Sequence, residues 1–234
     1  MSYIELNGVR STSITGLLIQ SLPPITKPQM RIETETIDGR AGDIINELGY
    51  AAYDRVAMIG LYGKYNIDDV IQFFNSSGSA VFSNEPDKVY QYRITQQIDF
   101  ERLIRFKTAM VTFHVQPYKM SAALAPIEIE TEETSGIISV NNIGNVFAQP
   151  KLTIYGEDDI SIYLDGVQLF AIALGDDGYI VIDTDKAEAY QGNTLKNRLV
   201  TGDYSKMTLP TGVSAISWSG AVNKIIVENY SRWI

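Results

Sequence analysis

The sequence predicts a mainly β protein: a β-rich α+β N-terminal domain with one main helix, followed by a β-sandwich. Three observations carry this. Short runs of alternating apolar residues, bounded by turn residues, recur along the chain. Only residues 66–78 show the i, i+3, i+4, i+7 apolar spacing of a convincing amphipathic helix. A small-residue, low-charge stretch at 121–126 separates two halves of different charge, which places an N-terminal domain at 1–122 and a C-terminal domain at 123–234.

The first half opens with strand candidates at residues 3–6 and 14–19, with Asn7-Gly8 as a turn between them and a break at Pro23-Pro24 and Pro28. Residues 30–37 alternate again. Met30, Ile32, Thr34 and Thr36 share one face, and Arg31, Glu33, Glu35 and Ile37 share the other, mostly charged face. Residues 38–43 read as a mobile loop, and 56–62 as a strand. Asn66 is the predicted N-cap of the helix. Ile67, Val70, Ile71 and Phe74 form its apolar stripe, Asp68 and Asp69 complement the dipole of its first turn, and Gly78 closes it. Strands at 80–83, 89–95 and 110–116 follow, and Pro117 stops the last.

In the second half strand candidates fall at 137–140, 151–155, 160–164, 167–173, 179–183, 213–218 and 224–228. Asp165-Gly166 between two of them is a type I′ hairpin signal, and Asp177-Gly178 marks another turn. Many short strands with frequent turns predict a sandwich.

Composition narrows the function. The 234 residues are 45% apolar and 20% charged and include no cysteine, so neither disulfides nor a thiolate metal site contributes. No apolar run reaches the roughly 20 residues that cross a membrane, and the start lacks the basic and apolar regions of a secretion signal. The net charge is −9. Residues 1–120 hold 12 Lys/Arg against 13 Asp/Glu, whereas residues 121–234 hold 7 against 15. Neither half has the clustered cations of a nucleic-acid binder.

No catalytic constellation assembles. His114 is the single histidine and lies in a strand pattern, without a second His or a Cys to share a metal. The adjacent pairs Asp68-Asp69, Asp158-Asp159 and Asp176-Asp177 read as a helix start and turns rather than acid/base pairs. Asp183 and Asp185 are compatible with Ca²⁺ at i, i+2, but a solvated strand end explains them as well. There is no Gly-rich phosphate loop and no nucleophile elbow. Trp218 and Trp233 are the candidates for glycan stacking, with core packing as the default for both. No cofactor is expected.

Residues 69–92, which include Phe-Ser-Asn-Glu-Pro-Asp-Lys at 82–88, resemble the distal tail proteins of long-tailed, non-contractile bacteriophages. So do Phe-Glu-Arg-Leu-Ile-Arg-Phe at 100–106 and the strand ending in Gln116-Pro117-Tyr118. In the second half the resemblance is carried by Ile182-Asp183-Thr184, Gly202-Asp203-Tyr204, Leu209-Pro210-Thr211-Gly212 and residues 226–233. It implies a galectin-like sandwich in the second half, in a short form without an inserted carbohydrate-binding module. It also implies a non-enzymatic virion protein, made in the host cytoplasm and located at the tail tip. Such a protein forms a hexameric ring that holds the tail tube on one side and tail-tip, baseplate and receptor-binding proteins on the other. A ring needs one patch to meet a different patch on the next copy. Arg31, Glu33, Glu35, Arg40 and Asp43 are the expected ring contacts. A glycan-binding module contacting the host wall directly is the alternative, and a wall hydrolase a weaker third.

Overall fold

A computed structural model of the chain describes residues 2–122, 125–131, 133–229 and 231–234. The protein is mainly β, with two α-helices and three short 3-10 turns among the antiparallel strands of the described residues. The chain divides into two compact units, Met1–Ala122 and Ala123–Trp233. Ala123 and Leu124 of the 121–126 stretch and Tyr230 of residues 226–233 lie outside the described residues, as do Met1 and Glu132.

The first unit is built on one antiparallel sheet. Its strands run in the order Val9–Arg10, Ile4–Leu6, Ser77–Phe82, Lys88–Arg93, Thr108–Val115, Tyr53–Leu61 and Leu17–Ser21. One face of the sheet presents Ile4, Ile59, Phe82, Tyr90, Val111 and Phe113, all fully buried. Helix α1 (Ile67–Phe74) supplies Val70, Phe73 and Phe74 to this core, and helix α2 (Phe100–Phe106) supplies Leu103.

Helix α1 starts as its sequence predicts. The Asn66 side chain accepts a hydrogen bond from the Asp68 amide at 3.1 Å, and Asp68 and Asp69 occupy the first turn. Its buried stripe is rotated from the expected one: Phe73 is buried and Ile71 is exposed, because the two adjacent phenylalanines both turn into the sheet. The helix also ends earlier, at Asn75, and Gly78 belongs to the following strand. Helix α2 is capped by Asp99, which accepts from the Arg102 amide at 2.8 Å, and is closed by Lys107 in the left-handed region.

Two strands stand apart from the sheet. Met30–Thr36 and Asp43–Tyr50 pair only with each other and form a hairpin, the arm. Residues 38–43, expected as a mobile loop, make its tip. The second strand went unread in the sequence, since adjacent Ile44 and Ile45 break the alternation.

The second unit is a sandwich whose two longest strands, Lys151–Leu164 and Gly212–Glu228, serve both layers. Their outer ends, 151–155 and 224–227, lie in a layer with Ile127–Glu130, Tyr179–Asp183, Glu188–Gln191 and Thr194–Leu195. Their other ends lie in a layer with Ser135–Asn142, Val167–Gly175 and Val200–Gly202. The switch falls where the pairing slips, between Tyr155/Gly156 and Glu157/Ser161. Gly220 sits beside this slip at φ +113°, and a side chain there would run into the Asp159 backbone. Asp165 and Gly166, with φ of 48° and 84°, turn the hairpin as their sequence predicts. Alternate residues such as Leu152, Ile154, Ile162, Phe170, Ile216 and Val227 point between the layers and are buried.

Candidate functional site

The arm carries the most unusual surface of the molecule. An isolated two-stranded hairpin is only marginally stable in water, so its roots must be held. At the base, the Ala51 amide donates to the Gln29 carbonyl at 2.8 Å, and Tyr50 meets Tyr118 edge-on at 6.2 Å. Along the arm, the Arg31 guanidinium donates to the Leu48 carbonyl at 2.9 Å, and the Thr36 hydroxyl donates to Asp43 at 3.1 Å. Yet the arm buries almost nothing. Ile32, Ile45 and Leu48 are each more than half exposed, and Ile37 nearly so. Apolar side chains left in water along a hairpin mark an interaction surface.

The five candidate contact residues all lie on this arm, but they are not equivalent. Arg31 and Asp43 are hydrogen-bonded within it. Glu33, Glu35 and Arg40 make no side-chain hydrogen bond or ion pair among the described residues, so their charges are free. Register places Ile32 opposite Glu47 and Thr34 opposite Ile45, so Ile32, Thr34, Ile45 and Glu47 share one face. Glu33 and Glu35, opposite Asn46 and Ile44, share the other.

The chain segment that leads into the arm is pinned by a buried ionic cluster. Arg55, only 2% exposed, donates from Nη2 to the carbonyls of Pro23 at 3.3 Å and Pro24 at 3.1 Å. Its Nη1 donates to Glu85 at 3.2 Å. Its guanidinium lies over the rings of Phe82 and Tyr90, at 4.7 and 4.4 Å from their centroids. Lys119 donates to the other Glu85 oxygen at 2.8 Å, and the Tyr90 hydroxyl also donates to Glu85. Asn84 adds a bond to the Pro23 carbonyl at 3.0 Å.

Burial alone would favour the neutral form of Glu85. The hydrogen bonds from Lys119 and Tyr90 and the charges of Lys119 and Arg55 outweigh it, and hold the carboxyl below its ordinary value. Burial, followed by the bond to Glu85, pushes the Tyr90 phenol up. The turn at 82–88 therefore faces inward at Glu85, while Pro86 and Asp87 are exposed. Nothing in the sequence reading singled out Arg55. The available signal was its place at an inward position of the strand, two residues from Tyr53 and from Ala57.

The remaining candidates have local partners. Trp218 is 4% exposed, its ring packed in the sandwich core against Gly136, where any side chain would overlap it. It offers no free face to a sugar, and Trp233 is half-buried. His114 Nδ1 lies 2.8 Å from Asp54 on the outer face of the sheet, and Gln96 donates to the same carboxylate at 3.0 Å. Asp183 accepts from the Lys186 amide and pairs with its side chain, whereas Asp185 pairs with Arg232 at 2.7 Å. The two carboxylates thus serve different partners. Among the described residues no three His, Asp or Glu side chains gather as a metal-binding group.

A sheet unit with an exposed arm and a β-sandwich unit define a mainly β protein whose notable surface suits assembly rather than chemistry. No protein-family model matches the sequence, and no curated protein matches it. Solved structures do. The Dit protein of phage SPP1, described as a paradigm of hub adsorption apparatus in phages infecting Gram-positive bacteria, aligns over 100% of this chain and 100% of its own, at 15% identity and a TM-score of 0.68. A chain of the phage p2 baseplate in its activated conformation aligns over 97% of both chains, at 13% identity and a TM-score of 0.51. The chain has the Dit-like fold along its whole length.

Proposed function

We infer that the chain is a structural virion protein of a long, non-contractile phage tail. It forms a hexameric ring at the distal end of the tail tube. The ring joins the tube to the tail-tip or baseplate proteins and serves as a hub for host-adhesion proteins. The observation that carries this reading is the full-length likeness to the Dit protein of SPP1, a hub component. The first unit is the ring-forming domain, and its arm is the feature that reaches a neighbour. The acidic second half faces outward, where like charge keeps neighbouring copies apart and soluble. The protein performs no catalysis and takes no cofactor, and it neither binds nucleic acid nor inserts into membranes.

Negative-stain imaging of the purified protein tests the class directly: a six-fold ring with a central hole is expected. Arg40→Glu, at the exposed arm tip, is expected to lower the hexamer fraction measured by native mass spectrometry. Unchanged hexamer content would remove Arg40 from the interface.

A further inference from the structure

Given the ring reading, on which this inference rests, the arm needs a receiving surface. A closed ring of identical copies places it on the same chain. We propose that the arm of one copy docks on the outer face of the next copy's sheet, with Ile32 and Ile45 packed on Val56, Met58 and Met110, and Glu47 directed to Arg93.

The first argument is apolar surface without a cover. The face of the sheet turned away from the core would be expected to be polar. Instead Val56, Met58 and Met110 are 42%, 41% and 61% exposed. Register makes them one patch: Met58 is directly opposite Met110, and Val56 is opposite Thr112 on the same face. The arm of the same copy does not cover them, since both surfaces are exposed. One molecule thus presents two different unpartnered apolar surfaces, a protruding one and a flat one. That is what a heterologous contact requires.

The second argument is charge. Residues 30–50 hold five carboxylates against two arginines. The rest of residues 1–120 holds ten Lys/Arg against eight Asp/Glu. The acidic arm and the cationic remainder of the same unit therefore attract between copies.

The third argument is local. Arg93 is opposite His114, which places it on the same outer face as Met58 and Met110. Its guanidinium makes no hydrogen bond or ion pair among the described residues. It lines two neighbouring grooves, of about 470 and 520 Å³, the second shared with Gln91 and His114. On the arm, Glu47 is equally unpaired and shares a face with Ile32 and Ile45. Each surface is thus an apolar pair or trio beside one free charge, and the two charges have opposite sign.

The cysteine-free chain makes the test clean. Ile45→Cys and Met110→Cys placed together in one chain, then oxidised, are expected to give a ladder of disulfide-linked species up to six on a non-reducing gel. Either substitution alone can yield no more than a dimer. Native mass spectrometry of the unmodified protein reads the ring separately. A hexamer without a ladder overturns the receiving surface and leaves the ring reading standing. A monomer at every concentration, with no ladder, overturns both. As a second measurement, Arg93→Glu is expected to raise the concentration for half-assembly at least tenfold with an unchanged melting temperature, and Glu47→Lys in the same chain to restore it. A second substitution that weakens assembly further, instead of restoring it, counts against the pairing.

Discussion

Two hairpins in this chain have nearly the same covalent design and opposite fates. In the second unit, Lys151–Leu164 and Val167–Gly175 meet through Asp165-Gly166, and every second residue, such as Ile160, Ile162, Phe170 and Ile172, is buried. In the first unit, Met30–Thr36 and Asp43–Tyr50 pair with equal regularity but bury almost nothing, although Ile32, Ile45 and Leu48 are as apolar as anything in the sandwich. The difference is cover. The sandwich hairpin has a second layer above it. The arm has no second layer on either face, and the buried Arg55–Glu85–Lys119 cluster holds the chain leading into it at the Pro23 and Pro24 carbonyls. One hairpin contributes to folding, and the other leaves its apolar side chains exposed.

That contrast breaks most severely at the cluster. Glu85→Ala leaves Arg55 and Lys119 buried without a counter-charge. Stripping one partner from a buried ion network costs about 3–5 kcal/mol. Denaturant unfolding monitored through the first unit should show a loss of this size, and a loss below 1 kcal/mol would remove the cluster from its anchoring role. Next comes a matched pair of truncations. Ile162→Ala opens a cavity in the sandwich and should cost about 2–5 kcal/mol. Ile45→Ala on the arm should stay within about 0.5 kcal/mol, as exposed substitutions do, while weakening self-association seen by sedimentation. Equal losses of stability at both sites would mean that the arm is packed within the isolated chain.

Legibility in the sequence follows the same line. Where local chemistry sets the structure, it could be read: the Asn66 cap, the Asp165-Gly166 turn and the alternation of the sandwich strands all appear in place. Where long-range geometry decides, it could not. Residues 151–155 and 160–164 read as separate strands, because the slip that carries one strand between layers looks like a break in alternation. Helix α2 is two turns long and has too few residues to show a period. The charged face of residues 30–37 was legible as one that meets water or a partner, and it is exposed. Its second strand was not, because a hairpin exposed on both faces has no reason to alternate. The importance of Arg55 depends on Glu85 and Lys119, which are 30 and 34 or more residues from their partners in sequence.

A smaller effect separates the cluster from the rest of the unit by pH. Glu85 titrates below its ordinary value of 4.5 in the folded protein. A carboxyl with a lowered folded pKa contributes stability that is fully present above the unfolded value and disappears as pH falls through the folded one. The advantage of the native chain over Glu85→Gln should therefore be constant at neutral pH and shrink below about pH 4.5. Melting temperatures of both proteins across pH 3–7 would measure it, and an advantage that grows on acidification would contradict the sign.

The smallest expected effect concerns Arg31, and it distinguishes the shape of the arm from its chemistry. As one of five candidate contact residues on an exposed hairpin, Arg31 reads in the sequence as a contact residue. In the fold its guanidinium is bonded to the Leu48 carbonyl across the two strands. Arg31→Ala should therefore loosen the arm locally, by about 0.5–1.5 kcal/mol for one hydrogen bond. Faster amide exchange confined to the arm, at an unchanged global melting temperature, is the expected signature. Arg31→Lys keeps the charge and loses the planar fork that fits a fixed carbonyl. If Lys restores assembly without restoring slow exchange, the charge of Arg31 meets the neighbour. If it restores neither, Arg31 acts by holding the arm in shape, and the free charge that reaches the next copy is Glu47, on the face that carries Ile32 and Ile45.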